Sequence, residues 1–154
     1  MKKLIYAILV GMGACQSPKG SVESLLETDK QFSHKSEQEG MAVAFVAFAD
    51  SEVIKLNDGS FPTVGIQALS SYFSNQNDTL FTLTWKPLKA EVAASGDLGY
   101  TFGSWQLITK SNDSDSSVVA KYGNYVSIWK YHRQSGWKYV LDAGTSTPSW
   151  YEFP

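Results

Sequence analysis

A chain of 154 residues has the length of one domain, and one this size buries roughly 70% of the surface its unfolded state exposes, so its core needs no staples. With 43% hydrophobic and 18% charged residues it is neither disordered nor fibrous, and a net charge of −2 without a basic block argues against nucleic acid as a partner. A single cysteine excludes a disulfide framework and multi-cysteine metal sites, and two histidines exclude most histidine-rich centres, so no metal and no cofactor are expected.

The first residues read as an address. Lys2 and Lys3 are a short positive region, Leu4 to Val10 is an apolar run too short to span a bilayer, and Gly13-Ala14 are small residues directly before Cys15. This resembles a bacterial lipobox, with Met12 standing where leucine is usual. It implies a signal peptide over 1–14, lipidation of Cys15, and an envelope protein anchored to the membrane on its periplasmic or outer-membrane side. Residues 15–22 are rich in Ser, Pro and Gly and read as a tether.

From Glu23 the apolar period is helical, with Leu25, Asp29, Phe32 and Ser36 on one face. Gly40 breaks it. A second helix, with Met41, Ala44, Phe45 and Phe48 recurring, is predicted to run to Asp50. Val53 to Leu56 is a short strand, Asn57-Asp58-Gly59 a turn, and Ile66 to Phe73 a third helix. The period then becomes two. Phe81, Leu83 and Trp85 alternate up to Pro87, where the parity shifts to Leu88, Ala90 and Val92, as at a bulge. Tyr100 to Thr109 is predicted as a strand with a second shift at Gly103. Val118 to Arg133 follows a polar loop, and Trp137, Tyr139 and Leu141 alternate with Lys138, Val140 and Asp142. Helices followed by hairpin-linked strands indicate α+β, a curved antiparallel sheet with helices on one face.

Four stretches resemble a known family. They are Asp29-x-x-Phe32 with Gly40-Met41-Ala42-x-Ala44-Phe45, then Ala90 to Trp105, Gly123-x-Tyr125-Val126-x-Ile128-Trp129, and Gly136-Trp137-Lys138-x-Val140-x-Asp142-x-Gly144. Together they look like a DUF4440/SnoaL-like domain of the NTF2-like superfamily, over residues 23–148, with an aromatic tail at 149–154 beyond it. The resemblance implies a cone of three N-terminal helices on a curved sheet, a pocket between them, and a homodimer through the sheet. It implies no single reaction.

A pocket of this kind needs a carboxylate or histidine for acid/base chemistry. Asp142, in a strand between apolar neighbours, is the first candidate catalytic residue; its other reading is a brace bonded to backbone amides at a strand end. Asp29, on the inward helix face, is the second, with bracing of helix on sheet as its other reading. Asp50 reads as a turn residue, and His34 and His132 as exposed. Phe32 and Phe45 from helices, with Trp85, Tyr100, Trp105, Tyr125 and Trp129 from strands, are candidate ligand contacts, because flat side chains grip apolar or aromatic molecules. Asn112-Asp113-Ser114-Asp115 lacks the glycine and distal glutamate of a calcium loop, and no P-loop or dinucleotide fingerprint is present. Two functions follow. One is a binder of a small, largely apolar molecule; the other is a cofactor-free acid/base enzyme of isomerase, cyclase or hydrolase type.

Overall fold

The computed structural model describes residues 20–74, 80–109 and 120–152. The leader, Cys15, most of the tether, Asn77-Asp78, the 112–115 stretch and Phe153 lie outside the described residues.

Helix α1 (Val22–Glu39) starts at Ser21, whose hydroxyl accepts from the Ser24 amide while the Ser24 hydroxyl accepts from the Ser21 amide. This reciprocal cap satisfies two amides that the first turn leaves without partners. Its buried face is Leu25, Asp29, Phe32, Ser33 and Ser36. At Gly40, φ is 94°, a conformation that favours glycine, and the chain turns there into α2 (Met41–Phe48).

The second helix ends two residues earlier than its apolar pattern suggests. Asp50 stands instead in β1 (Ala49–Lys55), where its carboxylate accepts from the Glu52 amide and meets His132 Nε2 at 2.7 Å. His132 is therefore half-exposed and paired, not free, whereas His34 is exposed beside Glu37. A two-residue strand β2 (Thr63–Val64), absent from the sequence reading, and α3 (Ile66–Ser74) follow. Four long strands complete the chain: β3 (Phe81–Val92), β4 (Leu98–Thr109), β5 (Ala120–His132) and β6 (Gly136–Thr147).

The sheet order is β2-β1-β6-β5-β4-β3, curved and unclosed. The expectation of an antiparallel sheet needs one correction. β3 to β6 are antiparallel, but β1 pairs with β6 in parallel, so the sheet is mixed. β1 enters from the helical layer rather than from a hairpin, and such an entry permits the parallel sense.

Two bulges set which residues face the helices. One falls between Pro87 and Lys89 against an unbroken β4, where the proline interrupts the pattern. The other was not foreseen. Trp129 pairs with Tyr139 and Ile128 with Leu141, leaving Val140 over, so Asp142 joins the inward face of Trp137 and Tyr139 instead of opposing it. The expected shift at Gly103 does not occur, because β4 and β5 pair without a break from Leu98 to Ile108. Gly103 serves close approach. A Cβ there would come within 2.3 Å of the Lys86 carbonyl oxygen and 2.6 Å of the Tyr125 ring.

β3 is the outer edge of the sheet, and α1 covers it. The Ser33 hydroxyl donates to the Trp85 carbonyl and accepts from the Trp85 amide, both at 2.8 Å, and the Ser36 hydroxyl donates to the Leu83 carbonyl. Two helix serines thus occupy backbone groups that an open edge would offer to another strand. The core between helices and sheet centres on Phe32, packed on Phe45, Phe48, Trp85, Trp129 and Tyr139.

Candidate functional site

Between α1–α3 and the concave sheet face lies a cavity of about 540 Å³. Its walls are aromatic: Phe32 and Phe45 from the helices, Tyr72 from α3, and Trp85, Trp105 and Tyr125 from β3, β4 and β5. Trp105 lies flat across two neighbouring strands because those strands carry glycine beneath it. A Cβ at Gly123 would stand 2.2 Å from the indole, and one at Gly144 would stand 3.3 Å from its Nε1. The same Nε1 donates to the Asn124 carbonyl at 3.2 Å.

The polar part of the wall is built by strand register. Asp142 is the cross-strand partner of Ser127 on β5 and of Lys55 on β1. The Ser127 hydroxyl donates to Oδ1 and the Lys55 ammonium donates to Oδ2, each at 2.7 Å. The side chains are nearly enclosed, at 14% and 9% exposure for Lys55 and Asp142. Lys55 Nζ also stands 4.7 Å from the centre of the Phe45 ring, within cation–π range. Asp142 thus lines the cavity as half of a neutral ion pair, both oxygens engaged.

Asp29 does not line the cavity. It sits wholly buried behind the wall, its Oδ1 accepting from Trp85 Nε1 at 2.8 Å and its Oδ2 from the Tyr125 hydroxyl at 2.7 Å. Burial pushes its pKa up to about 6, against the lowering effect of hydrogen bonds from Tyr125, Trp85 and Thr101. The Tyr125 phenol is pushed up by burial and by the charge of Asp29, and that of Tyr139 by burial first. The Asp29 carboxylate locks two wall aromatics in place while they shield it from the cavity.

Two candidate contacts lie elsewhere. Tyr100 is on the outer sheet face, in a shallow hollow with Glu91, Leu98 and Ile128. With no shift at Gly103, residues 101, 103, 105 and 107 share the inward face and Tyr100 takes the other. Trp129 points inward but deeper than the cavity, fully buried against Phe32 and Tyr139, its Nε1 donating to Thr101 Oγ1 at 2.9 Å. Lys55, Tyr72 and Ser127 were missed. Lys55 carries a faint sequence signal, a lone cation in the run Val53-Ile54-Lys55-Leu56. Among the described residues no group of three or more His, Cys, Asp or Glu could hold a metal ion.

No family model matches the chain, and no curated protein matches it in sequence. Solved structures do match in fold. An NTF2-like protein with a cystatin-like fold from Novosphingobium aromaticivorans is similar at TM-score 0.67 and 13% identity, over 82% of this chain and 81% of that one. A ketosteroid isomerase-like protein from Erwinia carotovora atroseptica gives 0.64 and 9%, over 82% and 96%. A CaMKII hub from S. rosetta gives 0.63 and 17%, over 84% and 99%. The fold is the α+β NTF2-like cone.

Proposed function

We propose that this chain is a binding protein that holds a small, largely apolar, flat molecule in its cone without turning it over. The observation behind this reading is an aromatic-walled cavity whose two buried carboxylates are both engaged, Asp142 by Lys55 and Ser127, and Asp29 by Trp85 and Tyr125, while a third, Asp58, lines it from an exposed turn where water reaches it. A general base must be free to take a proton from what enters. One feature supports the alternative, a cofactor-free acid/base enzyme of isomerase, cyclase or hydrolase type: Asp29, held near neutrality, is hydrogen-bonded to the cavity-lining Tyr125. Similar structures named for an isomerase-like protein and for a hub do not choose between the two, since fold does not fix function.

The test uses the neutral apolar probe N-phenyl-1-naphthylamine. Its fluorescence is expected to rise saturably on binding, and Leu83→Trp, which places an indole in the cavity, is expected to abolish the rise. An unsaturable signal, or an equal one in Leu83→Trp, overturns the reading.

The proposal extends to the protein's setting as a DUF4440/SnoaL-like envelope lipoprotein anchored through Cys15 and paired as a homodimer. Lys2, Lys3, the apolar run and the lone cysteine support the anchor. Exposed Leu98 and Val126 on the outer sheet face support the pairing. Part of that face is occupied by the chain's own tail, since the Ser104 hydroxyl donates to the Tyr151 carbonyl at 2.6 Å and Tyr151 packs on Phe102. Cys15→Ser is expected to move the full chain from the membrane to the soluble fraction of a Gram-negative host. A monomer by light scattering at micromolar concentration defeats the pairing.

A further inference from the structure

We infer that the molecule held in the cone carries a neutral oxygen acceptor, such as a ketone, ester or amide carbonyl, and that the Lys55 ammonium receives it. The inference rests on the pocket-binding reading and adds the chemical class of the ligand.

Around Asp142 the polar inventory of the cavity is asymmetric; the other polar side chains of the lining, Asn57, Asp58, Lys121, Thr145 and Ser146, are exposed or half-exposed and reach water. The Tyr125 hydroxyl is committed to Asp29, and both oxygens of Asp142 already accept hydrogen bonds. An ammonium has three N–H donors. Asp142 takes one of those of Lys55, and the face of Phe45 lies beside the group without an acceptor atom. Each Asp142 oxygen keeps a further lone pair, but both are held beside the Lys55 ammonium and Ser127, so the group of the deep wall with hydrogens left to give is Lys55. A hydrocarbon placed there would leave an ammonium N–H buried and unmet, which is costly for a charged group.

Charge selects among acceptors. Lys55 and Asp142, 2.7 Å apart, already cancel. A carboxylate on the ligand would add an uncompensated negative charge beside Asp142 inside aromatic walls, and a cationic ligand would meet the ammonium first. A neutral acceptor adds a hydrogen bond and no charge. The flat surfaces of Trp85, Trp105 and Phe45 suit an acceptor joined to a planar apolar body. Lys55 is thereby a specificity-determining residue. Asp142 and Ser127 are positioning residues that hold its ammonium on the cavity wall.

The experiment compares three ligands of nearly one shape as competitors of N-phenyl-1-naphthylamine on the full chain: 2-ethylnaphthalene, 2-acetylnaphthalene and 2-naphthoate. The ketone is expected to bind about tenfold more tightly than the hydrocarbon, the advantage of a hydrogen bond to a charged donor. The carboxylate is expected to be the weaker of the two oxygen-bearing ligands. Lys55→Met is expected to erase the advantage of the ketone, so that the ketone and the hydrocarbon bind alike. Should that variant fail to fold with Asp142 unpaired, Lys55→Met combined with Asp142→Asn removes both charges, keeps an acceptor for Ser127, and is expected to equalise the two ligands in the same way. A ketone no better than the hydrocarbon, a carboxylate that binds best, or an advantage that survives the loss of Lys55 each overturns the inference. In all three cases the pocket reading stands if the probe itself binds saturably.

Discussion

Replacing Phe32 with alanine is expected to lower the stability of the domain by about 4 kcal/mol, read as a fall in the urea midpoint at unchanged slope. The side chain is 1% exposed and is the hub of the aromatic core. Ring centres lie 4.5 Å from Trp85, 4.8 Å from Phe45, 5.0 Å from Phe48 and 5.5 Å from Tyr139. These neighbours come from α2, β3 and β6, and several are pinned by polar bonds of their own, such as Tyr139 to the Phe45 carbonyl at 2.9 Å. A void left at Phe32 cannot be closed by pinned rings, so the full cost of losing a buried phenylalanine is expected. Phe32 also faces the ligand cavity, so the void would open into it. A loss below about 1.5 kcal/mol would mean that the rings relax freely and that the core is not the rigid wall described above.

Much of this fold is legible in the sequence, and the illegible parts share a cause. The inward face of α1 follows from period 3.6, because helix periodicity is local. The β3 bulge is legible at Pro87, which cannot take part fully in a ladder. The β6 bulge at Val140 carries no such residue, since valine fits any strand position, and only the pairing of Trp129 with Tyr139 and of Ile128 with Leu141 reveals it. That one residue decides whether Asp142 faces the cone. The partner of Asp142 was hidden for a related reason. Lys55 and Asp142 are 87 positions apart and meet only because β1 runs parallel to β6, a pairing that no turn between them announces. Gly103 shows the opposite error: a glycine in a strand suggested a kink, whereas here it makes room for the Tyr125 ring.

The two carboxylates singled out in the sequence divide the work differently from the expectation for a catalytic pair. Asp142 is on the wall but neutralised; Asp29 is unpaired by any cation but sealed behind Trp85 and Tyr125. Hydrogen bonds from neutral donors offset burial only in part, so Asp29 has the raised pKa. The structural reading of Asp29, a brace between α1 and the sheet, is the one its contacts describe, and it is testable through pH.

Asp29→Asn is expected to gain on the parent as pH rises, by about 2.5 kcal/mol between pH 4 and pH 8. The folded pKa of Asp29 is about 6, above its ordinary value of 3.8. Below 3.8 the group is protonated in both states and contributes no pH dependence. Between 3.8 and 6 the folded protein holds a proton that the unfolded chain has released, so stability falls as pH rises through this window. Above 6 the penalty for a buried charge is complete at roughly 3 kcal/mol, of which about 0.5 kcal/mol is already present at pH 4. Asparagine stays neutral throughout. Its Oδ1 can still accept from Trp85, and the Tyr125 hydroxyl can turn to accept from its amide, so any hydrogen-bond loss is a constant offset. The measurement is the difference in urea unfolding free energy between parent and variant at intervals from pH 4 to pH 8, which cancels the titration of groups common to both. A difference that stays flat would show that Asp29 is ionised at no cost, and that Trp85, Tyr125 and Thr101 compensate its burial in full. A rise through the window, with the probe still bound saturably, would show that the carboxylate charge is dispensable to the cavity and that its place is in holding the wall.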